Sequence, residues 1–98
     1  MSNQDVANDL INKMKVYETE FVKEFVKRVE QRTPVLSGKL KDGYYVEENG
    51  NNYELKNRED YAAYVELGTI HQRPAAMVQT TLLEMDDIGK IAKDRAGL

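Results

Sequence analysis

The stretch from Asn3 to Arg32 contains no glycine and no proline, and this constrains the fold more than any other feature of the sequence. Its apolar residues recur every three or four positions, which is the period of an α-helix. A helix of this length spans about 45 Å at roughly 1.5 Å per residue, more than one small domain covers by itself. The first apolar stripe of this predicted helix consists of Val6, Leu10, Met14, Tyr17, Phe21 and Phe25.

A second apolar stripe widens the apolar face of the predicted helix to roughly half its circumference. We expect the first stripe to pack on the protein's own sheet, so that Leu10→Asp would harm folding by burying an unpaired charge. The second stripe is then left for another subunit, and Val26→Asp should disturb that contact. The alternative is that the C-terminal segment of the same chain covers it. The predicted subunit interface comprises Ile11, Val22, Val26 and Val29.

The middle of the chain reads as a β-hairpin. The long helix should end at Thr33-Pro34, because the residue before a proline is disfavoured in the α region. From Lys39 the apolar period changes to two, which predicts strands within residues 39–57. Asn49-Gly50 marks the turn, since both residue types tolerate the positive φ of tight hairpins. Two strands alone are marginal in water, so a third strand, from residues 64–72 or from a neighbouring chain, should complete the sheet.

The C-terminal part is expected to be helical. Asp60 suits the N-cap of a short helix over about 60–67, and Pro74 suits the first turn of a helix over about 74–92. Gly89 should weaken or end that last helix. The predicted fold is a single α+β domain over residues 1–98, with a long N-terminal helix, a small antiparallel sheet with a hairpin, and a C-terminal helix packed on the sheet.

Composition narrows the function classes. The net charge of −3 and the sequence pI of 5.2 argue against binding of nucleic acid through its phosphates. Cysteine is absent, which removes disulfides and thiolate chemistry. The first residues lack the basic and then apolar order of a signal peptide, and no apolar run approaches the roughly 20 residues of a membrane helix. We therefore expect a soluble chain that is made in a cytoplasm and has no membrane partner.

The sequence gives little support for catalysis. His71 is the single histidine, and Glu66 precedes it by five positions across a Gly-Thr break, so the two do not share a helix face. The six glycines are scattered one at a time and form no phosphate-binding loop. We interpret His71 as a loop residue and predict a protein with no cofactor, no metal and no enzymatic activity. An enzyme using Glu66 and His71 is the weakest of the three functional hypotheses, and the other two are described below.

Three motifs follow one another in the middle of the chain. They comprise Pro34, Ser37, Gly38 and Leu40, then Tyr61, Ala62, Val65, Glu66, Gly68 and Thr69, and finally Arg73 and Pro74. Their order and spacing resemble those of the HK97 gp10-like family of phage neck and tail-completion proteins. The departures from the usual pattern are Ser37 in place of Thr, Leu67 in place of Phe, Ala-Ala-Met after Pro74 in place of Phe-Leu, and a short hairpin.

This resemblance implies a structural subunit of a tailed bacteriophage or prophage that acts in head-tail joining. It implies assembly into a ring, often a hexamer, and contact with connector or neck proteins and with tail tube or tail terminator proteins. The protein would be synthesised in the bacterial host cytoplasm and end in the virion, without specific nucleic-acid binding. The competing hypothesis is a cytoplasmic helical adaptor or regulator that dimerises through its long helix.

Overall fold

The computed structural model describes residues 3–34, 39–50, 52–59, 62, 66 and 76–98. The chain has the predicted α+β composition, with a long N-terminal helix, a small antiparallel sheet and a helical C-terminal part. Its described elements are α1 (Asn3–Arg32), α2 (Lys39–Asp42), β1 (Tyr44–Asn49), β2 (Asn52–Asn57), α3 (Met77–Leu82) and α4 (Met85–Ala96).

Helix α1 covers the whole stretch that lacks glycine and proline, and the predicted long helix is confirmed. Its end is closed by Thr33, whose hydroxyl donates to the Val29 carbonyl oxygen over 2.7 Å. The Thr33 N–H also donates to the Glu30 carbonyl oxygen, at 3.1 Å. These bonds satisfy carbonyl groups that a helix end otherwise leaves without partners. Pro34 follows, where it cannot extend the helix.

Strands β1 and β2 pair antiparallel, with Val46 opposite Leu55, and Gly50 in the turn has a φ of 60°. The prediction that the extended chain begins at Lys39 is wrong, because Lys39–Asp42 forms one helical turn. The Asn57 side chain holds this turn by donating to the Leu40 carbonyl oxygen over 2.8 Å. Gly43 fits beside it because a Cβ there would lie 2.9 Å from the Lys39 carbonyl oxygen, as well as 2.5 Å from the Asn57 Oδ1 atom.

The predicted short helix over 60–67 and the candidate third strand over 64–72 lie almost entirely outside the described residues. The described exceptions, Ala62 and Glu66, are both helical. Among the described residues the sheet has two strands. Val78 of α3 lines a cleft of about 150 Å³ together with Tyr44 and Leu55, so this helix lies against the hairpin.

The single C-terminal helix predicted over about 74–92 is in fact two helices, α3 and α4. The apolar spacing continues across the break at Leu83, which is why periodicity alone does not reveal it. Gly89 neither ends nor interrupts α4, which runs on to Ala96. The helix ends instead at Gly97, in the left-handed region at φ 73°. There the Gly97 N–H donates to the Asp94 carbonyl oxygen at 3.1 Å, a common helix ending.

The chain divides into two compact units, and the boundary in α1 falls after Phe25. The first unit comprises Met1–Phe25 and Glu84–Leu98, and the second comprises Val26–Leu83. The prediction of a single domain stays a prediction. Buried residues of the first unit include Ile88, Ala92 and Ala96 on α4, and those of the second include Val29, Leu40, Met77 and Thr81.

Candidate interaction surface

The N-terminal part of α1, Asn3–Val16, is exposed and is called the uncovered segment below. Every residue in it except Lys13 is exposed. Val6 is 53%, Leu10 51% and Met14 52% exposed. The expectation that this part of the first stripe packs on the sheet is therefore wrong, and so is the expectation that Leu10→Asp buries a charge.

The covered part of the same stripe begins at Tyr17. A Cβ on Gly89 of α4 would lie 3.3 Å from the Tyr17 hydroxyl oxygen and 3.9 Å from the Phe21 ring, so α4 approaches α1 closely at a glycine. The Arg95 guanidinium lies 3.5 Å from the carboxylates of both Glu20 and Glu24. Helix α4 has 12 residues against 30 in α1, and it is too short to cover the whole length of α1.

The predicted interface residues differ in their exposure along α1. Ile11 is 50% exposed, whereas Val22 and Val26 are partly buried. Val29 is completely buried within the chain, so its assignment to a subunit interface is wrong and it belongs to the core of the second unit. A helical wheel shows which face is apolar, but not where along the helix other elements begin to cover that face.

Charges on the uncovered segment follow a simple order. Asp5 and Asp9 come first, near the positive end of the helix dipole, and Lys13 and Lys15 follow. The Lys13 Nζ atom lies 3.4 Å from the Asp9 carboxylate, one helical turn away. Such exposed pairs contribute only about 0.3–0.5 kcal/mol. The acidic residues thus lie at one end of the segment and the basic residues at the other.

The motif glutamate, Glu66, has a structural role in the second unit. Its two carboxylate oxygens accept the N–H groups of Val78, at 2.9 Å, and of Gln79, at 3.0 Å. Its backbone carbonyl accepts the N–H of Ala76 over 3.1 Å. Glu66 therefore caps the start of α3, where Ala76 offers no side-chain cap. This use of the carboxylate gives no support to a catalytic pair with His71, which lies outside the described residues.

Other motif positions take structural places as well. Leu40 is buried at 4% exposure, while Pro34 and Ala62 are partly buried. The remaining motif positions lie outside the described residues, and they are Ser37, Gly38, Tyr61, Val65, Gly68, Thr69, Arg73 and Pro74.

Sequence reasoning missed a buried polar contact in the second unit. The Arg32 Nη1 atom donates to the Thr81 hydroxyl over 2.8 Å, and that hydroxyl donates to the Met77 carbonyl oxygen at 2.7 Å. Thr81 is fully buried, so its hydroxyl needs these partners. The sequence did contain a sign of this contact, because Thr81 is a polar residue within an otherwise apolar helix face.

The ionisation of Tyr44, in the same unit, is perturbed by burial. Burial raises the pKa of its phenol above 10.0, and the negative charge of Glu66 raises it further. A hydrogen bond with the Thr33 hydroxyl, 3.5 Å away, acts in the opposite direction. The neutral phenol is thus the form that the folded unit favours.

Two negative findings concern the described residues only. Across that part of the chain, no helix combines the length and the apolar character needed to cross a membrane. In the same part of the chain, no group of three or more His, Cys, Asp or Glu side chains is arranged so that it could hold a metal ion. What the described residues of the uncovered segment do present is an exposed apolar helix face, a feature typical of proteins that bind other proteins.

The comparison with protein families agrees with that class. The model of the HK97-gp10-like family, described as "Bacteriophage HK97-gp10, putative tail-component", matches residues 4–68. The match covers well over half of the chain, which therefore belongs to this family of phage tail components, as the motifs had predicted. It includes α1 and the whole hairpin. No match was found among curated proteins or among solved structures.

Proposed function

We propose that this chain is a neck or tail-completion subunit of a tailed bacteriophage or prophage, which acts in head-tail joining by ring-like self-association. Family membership supports a structural role in the tail. The observation that carries the finer proposal is the exposure of large apolar side chains along the uncovered segment, Asn3–Val16. A subunit that works by docking needs such a face, and an exposed apolar helix face gains from being covered.

The physical argument rests on the burial of apolar surface. Full burial of one large apolar side chain contributes about 1.5–3 kcal/mol. Ile11, half exposed, would gain much of that on docking. Val22 and Val26 lie on the same side of α1 and are partly buried. We assign Ile11 to the subunit contact, with Val22 and Val26 at its margin.

The proposed partners follow from this position in the virion. They are further copies of the chain, connector or neck proteins on one side, and tail tube or tail terminator proteins on the other. The protein is synthesised in the host cytoplasm and carried in the virion, and its role there is structural, without catalysis or specific nucleic-acid binding. The engagement of Glu66 as a helix cap supports this role.

The test is complementation of a phage or prophage whose copy of this gene is disrupted. Ile11→Asp places a charge on the proposed contact, while Asn12→Asp adds the same charge to an adjacent exposed residue on another side of the helix. We expect both variants to fold, because both positions are exposed. The Ile11 variant should lower the yield of infectious particles at least tenfold, and the Asn12 variant should complement normally.

Electron microscopy of the lysates identifies the step that fails. Filled heads and separate tails in the Ile11→Asp lysate are expected for a defect in head-tail joining. Normal virions with that variant would overturn the proposed contact. Mass spectrometry of purified virions tests the role itself, since absence of the chain from particles would favour the cytoplasmic adaptor instead.

A further inference from the structure

We propose that the uncovered segment, Asn3–Val16, pairs antiparallel with the same segment of a second copy of the chain. This contact uses the face of Val6, Leu10 and Met14, which is a different side of α1 from the one that carries Val22 and Val26. It goes beyond the proposed place in the virion and does not depend on it.

The apolar face is complementary to itself. Val6, Leu10 and Met14 are spaced four residues apart, so they follow one side of the helix, and each is about half exposed. Leu10 stands midway between the other two. A second copy turned by 180° about Leu10 therefore places its Met14 beside Val6 of the first copy. The Leu10 side chains of the two copies then lie beside each other. Large apolar side chains then meet at all three levels of the contact.

The flanking charges select this orientation. Asp9 and Lys13 lie on one flank of the apolar face, 3.4 Å apart within the helix. In an antiparallel pair with two-fold symmetry the equivalent flanks of the two helices meet. The second copy's Lys13 then lies level with Ala7, about 3 Å along the axis from Asp9 at roughly 1.5 Å per residue. In a parallel pair the flank of Asp9 and Lys13 would instead meet the other flank of the second helix, so these two residues would not pair across the contact.

The same charge order identifies a second copy as the occupant. On the flank beside the apolar face Asp9 precedes Lys13 by one helical turn, so this flank meets its charge complement when a second copy of the segment is reversed against it. The segment is about 21 Å long. A contact of that length is small beside the roughly 1,200–2,000 Å² of a stable interface. We therefore expect a reversible dimer that forms at high concentration and is readily trapped by a covalent link.

The chain contains no cysteine, so single cysteines report the contact without background. The variants are Val6→Cys and Met14→Cys, with Asn12→Cys on the opposite side of the helix as the control. Each purified variant is oxidised mildly, alone and in an equal mixture, and the disulfide dimers are identified by intact mass. In the Val6→Cys and Met14→Cys mixture, the mixed dimer should form at least tenfold faster than the Asn12→Cys dimer.

Each variant alone separates the possible arrangements. Val6→Cys and Met14→Cys alone should cross-link near the control rate, because antiparallel pairing holds like positions about 12 Å apart along the axis. Val6→Cys alone reacting as fast as the mixture would show a parallel pair and overturn the proposal. All variants reacting at the control rate would also overturn it, because the occupant would then be another protein.

A charge swap gives an independent measurement. Asp9→Lys in both cysteine variants should slow the mixed cross-link several-fold, and adding Lys13→Asp should restore it, while circular dichroism confirms unchanged helix content. Failure of the double swap to restore the rate would remove the electrostatic basis of the proposal. These experiments use the purified chain without virions, so their failure is distinct from a failure of the complementation test.

Discussion

The two ends of α1 have similar apolar content but opposite surroundings. At the N-terminal end Met14 is 52% exposed, whereas at the C-terminal end Val29 has no exposed surface. Both lie in one continuous helix, so helix formation does not depend on which end is covered. The difference shows that local sequence determines the helix, while the elements that follow in the chain determine which part of it becomes core. What they leave uncovered is available for assembly.

The polar residues of the two ends differ in the same way. Near the C-terminal end, Arg32 and Thr33 make hydrogen bonds to buried groups, at 2.8 Å to the Thr81 hydroxyl and 2.7 Å to the Val29 carbonyl. In the uncovered segment, the contact between Asp9 and Lys13 is an exposed pair one turn apart. The polar contacts that stabilise the fold are therefore concentrated at the covered, C-terminal end of α1. Four measurements test the contrast between buried and exposed positions.

The largest effect should come from truncating one methionine in each environment. Met77 is fully buried and Met14 is 52% exposed. We expect Met77→Ala to lower the free energy of unfolding by about 2–5 kcal/mol, because it leaves a cavity. Met14→Ala should cost well under about 1 kcal/mol in dilute solution. Urea denaturation measures both, and an equal loss would mean that the uncovered segment is buried in the isolated chain.

A pair of threonines tests the buried polar contact. Thr81→Val keeps the shape but removes the buried hydroxyl that accepts from Arg32 and donates to the Met77 carbonyl oxygen. The cost should be about 1.5–3 kcal/mol, typical of a hydrogen bond to a charged group. Thr80→Val, at an exposed position of the same helix, is the matched control and should change stability by less than about 0.5 kcal/mol. A loss no larger for Thr81 than for Thr80 would show that the contact contributes nothing.

Two alanines distinguish backbone strain from helix propensity. Ala76 has a φ of 50°, a left-handed conformation that costs an L-residue about 1–2 kcal/mol. Ala76→Gly should therefore raise stability by up to about 1 kcal/mol. Ala7→Gly, in the uncovered segment, should weaken the helix by about 0.5–1 kcal/mol. Thermal unfolding gives the first value and circular dichroism the second, and loss of stability in Ala76→Gly would contradict the assigned strain.

The smallest effect concerns pH. The folded-state pKa of Tyr44 is raised above 10.0 by burial, so the folded chain binds this proton more tightly than the unfolded chain. The contribution to stability is complete below pH 10 and is lost as pH rises from 10 through the folded pKa. An ultraviolet titration of the phenols should show one late component that Tyr44→Phe removes. If the late component persists in Tyr44→Phe, another tyrosine is responsible.

The sequence predicted those features that are determined by neighbouring residues. The absence of glycine and proline predicted α1, and Asn49-Gly50 predicted the hairpin turn. Both depend on backbone preferences over a few residues. The motifs from Pro34 to Pro74 predicted the family to which the chain belongs.

Features that depend on distant residues could not be predicted in this way. The helical turn at Lys39 requires the side chain of Asn57, and the cap of α3 requires Glu66 from an earlier part of the chain. The burial of Val29 and the exposure of Leu10 depend on where other elements stop. Periodicity contains no information on that point, so the interface prediction included a core residue, Val29, and the core prediction included three exposed residues, Val6, Leu10 and Met14.

The hairpin bears on which surfaces of the chain can associate. Among the described residues its sheet has two strands, and a strand with a free edge can nucleate unwanted pairing between chains. Its exposed face carries Lys56, whose Nζ atom lies 2.7 Å from the Glu47 carboxylate and 3.6 Å from that of Glu54. Charges in this position discourage strand addition. Contact between copies through the hairpin is thereby disfavoured relative to the helix contacts proposed above.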